Sequence, residues 1–195
     1  MRYRAPARAS AIAGVAVAVA AATSAGRGRE LDGEAFGFVQ RRRGRAIDAV
    51  AVASTELGSI WASVGAAVIL AWAGKRRAAA RGLVAAGVAW LVGQGMKGMF
   101  LRPRPYLADP GSVRRLIDPP RATSWPSSHP MVLLAFVTVA GRELGMGRVG
   151  RATLSALAGG VGLTRTYVGV HYPSDVAGGL LLGRAVASVV NGTAH

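Results

Sequence analysis

The run "TRTYVGVHYPSD", Thr164 to Asp175, carries an arginine, then a histidine six residues on, then an aspartate four further. A carboxylate can fix a histidine's tautomer and orientation, and residues four apart share a helix face, so His171 and Asp175 form a candidate reactive pair. Two other stretches hold matching chemistry. "KGMFLRPRP" sets Lys97 and Arg104 seven apart, with Arg102 as a further cation. "SWPSSHP" places Ser127, Ser128 and His129 directly before an apolar run. Free amides at a helix start attract anions. Together these groups suit a phosphate site: cations to hold the oxygens of a polyanion, with two imidazoles beside them. Plainer readings exist for each piece alone. Lys97 can snorkel from a helix end, the serines can cap a helix, and His171 can be an interfacial histidine paired to an acid. Two of the chain's three histidines, His129 and His171 but not the terminal His195, stand in these stretches.

The elements that must position them are apolar. The chain has 195 residues, one domain over 1–195, with 51% hydrophobic but only 6% aromatic residues. Mean hydropathy is +0.33. Alanine, valine, leucine and glycine in long runs allow the close backbone approach of packed membrane helices. Six apolar segments are expected as spans: 9–25, 57–73, 78–96, 130–144, 149–163 and 176–190. A span needs about 20 apolar residues, so the fourth and fifth must borrow polar ends. The first also fits a secretory signal peptide, which would leave five spans. Between the first two, "ELDGEAFGFVQRRRGR" puts Leu31, Ala35 and Val39 at helical spacing, suiting a short helix on the membrane surface or a plain basic loop. The expected fold is an all-α bundle of six transmembrane helices with its site at their outer ends.

Net charge is +15, with a pI near 11.8. The arginines cluster between apolar runs, as topology and anionic headgroups require, so the partners are membrane lipids and nucleic acid is excluded. There are no cysteines, hence no disulfide or thiolate chemistry. A basic N-terminus inside the cell places "GKRRAAAR" and "GRELGMGRVGR" inside too. Arg41 to Arg45 then lie outside, against the trend. The 97–128 loop and the 164–175 stretch, two spans apart, lie together on the outer face. Three cations and two histidines there would be costly without a polyanion to bind.

The three stretches resemble the signature motifs of the type-2 phosphatidic acid phosphatase and haloperoxidase superfamily. Lys97, Arg104 and Pro105 fit its first motif. Pro126, Ser127 and His129 fit the second, and Arg165, His171 and Asp175 fit the third. Ser128 stands where the family has glycine, and Thr164, still a hydroxyl, where it has serine. The resemblance implies an integral-membrane lipid phosphatase of the cell membrane with an extracytoplasmic site. His171 would be the nucleophile, forming a phosphohistidine, with Asp175 holding its far nitrogen. His129 would protonate the leaving oxygen and then activate water. Lys97, Arg104, Arg165, Ser127 and Ser128 would bind the phosphoryl group, with Arg102 and Thr164 as additional candidates. The sequence offers no carboxylate cluster of the kind magnesium takes, so metal-independent hydrolysis without a cofactor is expected. The expected substrate is a lipid phosphate. Polyprenyl diphosphate is favoured, ahead of phosphatidic acid, phosphatidylglycerol phosphate or a polyprenyl-phosphoryl pentose phosphate. Rival classes are a vanadate haloperoxidase sharing the cage and a non-enzymatic lipid carrier.

Overall fold

The computed structural model describes residues 4–192, so Arg2 and His195 lie outside it. Every regular element among the described residues is helical. In order they are α1 (Arg4–Ala22), α2 (Gly26–Gln40), α3 (Arg45–Thr55), a 3₁₀ turn (Glu56–Gly58), α4 (Ile60–Trp72), α5 (Arg76–Lys97), α6 (Pro105–Ala108), α7 (Ser128–Glu143), α8 (Arg148–Tyr167) and α9 (Pro173–Gly192). The six apolar segments correspond to α1, α4, α5, α7, α8 and α9. No single one of these helices is long and apolar enough to cross a membrane. Two bent pairs pass that test of length and composition together: Pro6–Ala22 with Gly26–Gln40, at 92°, and Arg45–Gly58 with Ile60–Trp72, at 69°.

Helix α7 is the axis of the bundle. It is buried along almost its whole length, from Ser128 to Gly141, as a helix apolar on all sides must be. Helices α5, α8 and α9 pack around it, and α1 lies along α9. The interior is made small on purpose. Ala85, Ala86 and Ala89 of α5 are fully buried, while Trp61, Ile69 and Trp72 of α4 are 78%, 66% and 92% exposed. Small residues inward and large apolar ones outward is the arrangement of helices that associate through close backbone packing. Glycines allow the tightest approach, between α7 and α9. A Cβ on Gly183 would sit 2.5 Å from the Met131 carbonyl oxygen, and one on Gly179 would sit 2.3 Å from that of Ser127.

Alternate helices run in opposite directions, which segregates the connections by end. At one end, Arg77 Nε and Arg81 Nε of α5 lie 2.8 and 2.9 Å from the carboxylate of Glu143 on α7. The two basic connections expected on one side therefore do meet. The other end gathers the C-termini of α5 and α8 with the N-termini of α7 and α9.

Two shorter helices flank this end of the bundle. Helix α2 exists, but its inner face carries Asp32, Phe36 and Gln40, while Leu31 and Phe38 face outward. The cause is hydrogen bonding. Gln40 Nε2 donates to the Tyr167 carbonyl at 2.6 Å, and Asp32 is fully bonded beside α9, so polar partners set the buried stripe. Helix α3 follows, over Arg45–Thr55. It is held by the Arg114–Asp48 ion pair, at 2.7 Å, and by Tyr167 Oη donating to Asp48 at 2.6 Å.

Candidate active site

The site begins at the end of α5, where Lys97 closes the last turn. Residues 98–127 then wrap across this end of the bundle, with Arg104 just before Pro105 starts α6. Arg104 is only 1% exposed. Its guanidinium ties three strands of connection together: Nε donates to the Ala122 carbonyl at 3.0 Å and one terminal nitrogen donates to the Val170 carbonyl at 2.9 Å. The same terminal nitrogen lies 3.1 Å from His171 Nε2. A guanidinium can only donate, so Nε2 must accept. The His171 proton therefore resides on Nδ1, which points at Asp175 Oδ2 from 3.5 Å, beyond hydrogen-bond range.

Asp175 is fully buried and takes a partner at each oxygen. Oδ1 accepts from Arg102 at 2.9 Å. Oδ2 accepts from Ser124 Oγ at 2.5 Å and from the Tyr172 amide at 2.8 Å. The last bond is half of a capping box, in which the third helical residue reaches back to the amide just before the helix. Pro173 at the first position of α9 has its ring angle preset for the helix. Local sequence thus starts α9 and aims its aspartate with the same residues.

His171 sits in the α8–α9 connection, 2% exposed. Burial first, then the charges of Arg104, Arg165 and Lys97, hold its ring well below the usual histidine value of 6.5, so it is neutral. Arg165, in the last turn of α8, donates to Thr55 Oγ1 at 3.0 Å. That bond gives α3 a part in placing a cation. His129, in the first turn of α7, is crossed closely by the 3₁₀ turn. A side chain on Gly58 would come within 2.6 Å of the His129 Cβ.

Lys97, Arg104, Ser128, His129, Arg165 and His171 line one cavity of about 180 Å³. Ser128 Oγ is buried there with no protein partner. Four sequence candidates lie elsewhere. Asp175 stands behind His171. Ser127 is fully buried with its Oγ unpaired, and its amide donates to the Asp175 carbonyl at 3.0 Å, so it braces α9 rather than lining the cavity. Arg102 also stands behind, bonded to Asp175. Thr164 turns away and donates to its own helix, at the Val161 carbonyl, 2.7 Å. Sequence reading missed Asp32, Thr55 and Ser124, which touch the reactive groups or their supports. Ser124 opens the stretch "SWPSSHP" but stands outside its motif residues, and Asp32 and Thr55 lie outside all three stretches.

A pocket lined by three converging cations and two imidazoles, with Asp175 behind one of them, is built for a multiply charged oxyanion. Residues 78–194, which include all three stretches, match the PAP2 superfamily, and the chain belongs to that superfamily. Decaprenylphosphoryl-5-phosphoribose phosphatase of Mycobacterium tuberculosis is 33% identical over 114 residues, which is 58% of this chain and 58% of that relative. The match thus spans under two thirds of the relative's length. Among solved structures, the transmembrane PAP2-type phosphatidylglycerolphosphate phosphatase of Bacillus subtilis shares the fold. Its TM-score is 0.78, with 21% identity, over 95% of this chain and 94% of that one. LpxE of Aquifex aeolicus does so at a TM-score of 0.73, with 23% identity, over 81% and 93%.

Proposed function

We propose that this protein is a membrane-embedded lipid phosphatase that removes a terminal phosphate through a phosphohistidine at His171. The observation that carries the reading is the His171 ring. Its Nε2 is unprotonated at the wall of a cavity that Lys97, Arg104 and Arg165 make strongly positive. Burial, then the charges of Arg165, His171, Lys97 and Arg104, hold His129 well below 6.5, so it takes up its proton as the anionic phosphate binds and offsets those cations. Nε2 attacks phosphorus, and the bond to the leaving oxygen breaks as His129 delivers that proton to it. The imidazole becomes cationic, and Asp175, behind Nδ1–H, balances that charge. His129 then takes a proton from water, which attacks the phosphohistidine and releases inorganic phosphate. The cations and Ser128 stabilise charge on the equatorial oxygens, where phosphoryl transfer develops it. Asp175 is the carboxylate nearest the reaction, and both its oxygens are already bonded. The chemistry therefore proceeds on side chains alone, with no metal.

In this reading the cavity lies at headgroup depth on the extracytoplasmic side of six spans, which suits a substrate whose tail stays in the bilayer; the large apolar side chains exposed on the helices support it. The mycobacterial relative moves the preferred substrate from polyprenyl diphosphate to a polyprenyl-phosphoryl pentose phosphate, a monoester on a lipid-linked sugar. A panel assayed in detergent tests this: that monoester, polyprenyl diphosphate, phosphatidic acid and phosphatidylglycerol phosphate, all in excess chelator. The pentose phosphate should turn over fastest, and His171→Ala should lose at least about 10³-fold. Retained turnover in His171→Ala, or strict dependence on added magnesium, would contradict the mechanism. Preference for another lipid would overturn the substrate alone.

A further inference from the structure

Arg102 stands two residues before the cavity's Arg104, yet its guanidinium never reaches the cavity. It lies flat over the Tyr172 ring, 4.3 Å from the centroid, and that ring packs on Phe36 of α2 at 5.5 Å. One terminal nitrogen of Arg102 donates to Asp175 Oδ1 at 2.9 Å, and the other donates to Asp32 Oδ2 at 2.5 Å. Asp32 is itself clamped to the start of α9. It accepts from the Ser174 amide at 3.0 Å and from Ser174 Oγ at 2.5 Å. Both carboxylates are almost wholly buried, their side chains 4% and 0% exposed.

We propose that Asp32 is a positioning residue for catalysis: through the planar fork of Arg102 it orients the Asp175 carboxylate that backs His171. The inference rests on the reading of His171 as nucleophile. A guanidinium is rigid, so fixing one edge fixes the other. With Oδ1 held by Arg102 and Oδ2 by Ser124 and Tyr172, the Asp175 carboxylate cannot rotate away from Nδ1. A purely structural bridge would need one acid, and a second buried carboxylate is costly unless it serves another end. Here two acids and one guanidinium sum to one negative charge. Arg104 and Lys97 lie near that charge already, and it gains a cation directly facing Asp175 only when the His171 ring is charged. The cluster therefore favours the transition state over the resting enzyme, which is what speeds a reaction. It also makes α2, a helix outside the three motifs, part of the catalytic apparatus.

Asp32→Asn keeps the shape and removes the charge. With dioctanoyl phosphatidic acid as probe, its kcat should fall about 10-fold to 100-fold, the scale of a misaligned reacting group. KM should stay within about twofold, because no Asp32 atom lines the cavity. The melting temperature in detergent should stay near that of the unaltered protein. In an Asp175→Asn background the same change should cost less than about twofold, since groups acting as one unit are not additive. Arg102→Lys retains a cation but cannot span both acids, and should lose kcat as Asp32→Asn does. If Asp32→Asn fails to fold, Arg102→Lys decides the matter. Unchanged kcat in a folded variant, or an equal fractional loss in both backgrounds, overturns the inference. Turnover by His171→Ala would overturn the functional reading beneath it.

Discussion

The His171 ring is decided by its neighbours on both sides. Arg104 can only donate, which leaves Nε2 with a lone pair and sends the proton to Nδ1. Burial and three nearby cations push the ring's pKa down, so it remains neutral at pH values where a free histidine would take a proton. A lowered value means the proposed nucleophile is lost only as pH falls well below 6.5, and nothing is lost on its account above that. The acid limb of kcat/KM belonging to His171 should therefore lie below pH 6.5, and a pH profile placing it at or above 6.5 would contradict this geometry. Residues in the three stretches were legible because their spacing joins rare polar types inside apolar sequence. Asp32, Ser124 and Thr55 were not. Each acts through bonds made across 51 to 142 residues of chain, and such partners leave no local spacing to read.

At the scale of elements, apolar runs located the six main helices because burial of a whole turn leaves a continuous signal. Helix α3 was missed because "RAIDAVAVAST" mixes charge with alanine and valine, and its place is set by Asp48 meeting Arg114 and Tyr167. The inner face of α2 carried no such signal. Apolar spacing pointed to Leu31, Ala35 and Val39, whereas hydrogen bonds from Gln40 and Asp32 turned the helix by about one residue. The α7–α9 contact is the element junction the site depends on most, since each helix presents a reactive residue in its first turn. Gly183→Ala would drive a methyl to 2.5 Å from the Met131 carbonyl and should cost about 1–3 kcal/mol of stability, read as a lower melting temperature in detergent. Gly160→Ala, with nothing within 4 Å of the added carbon, should be neutral or slightly stabilising, so equal losses in the two variants would contradict the packing described.

Across the whole molecule, antiparallel helices separate two kinds of end. One carries Arg77, Arg81 and Glu143 in ion pairs. The other collects Lys97, Arg104, His129, Arg165 and His171 around one cavity. Counting segments between the polar stretches was enough to expect that meeting, because an even number of crossings returns a chain to its starting side. Sequence could not show that support for the cavity comes from the first third of the chain, through Asp32 and Thr55, since those contacts arise only once the bundle closes. The central claim is a covalent bond between phosphorus and His171 Nε2. Alkaline quenching during turnover of a radiolabelled lipid phosphate, followed by peptide mapping, tests it most directly. The label should be found on His171; a label on another side chain, or an unlabelled His171 in enzyme that is turning over, would contradict it.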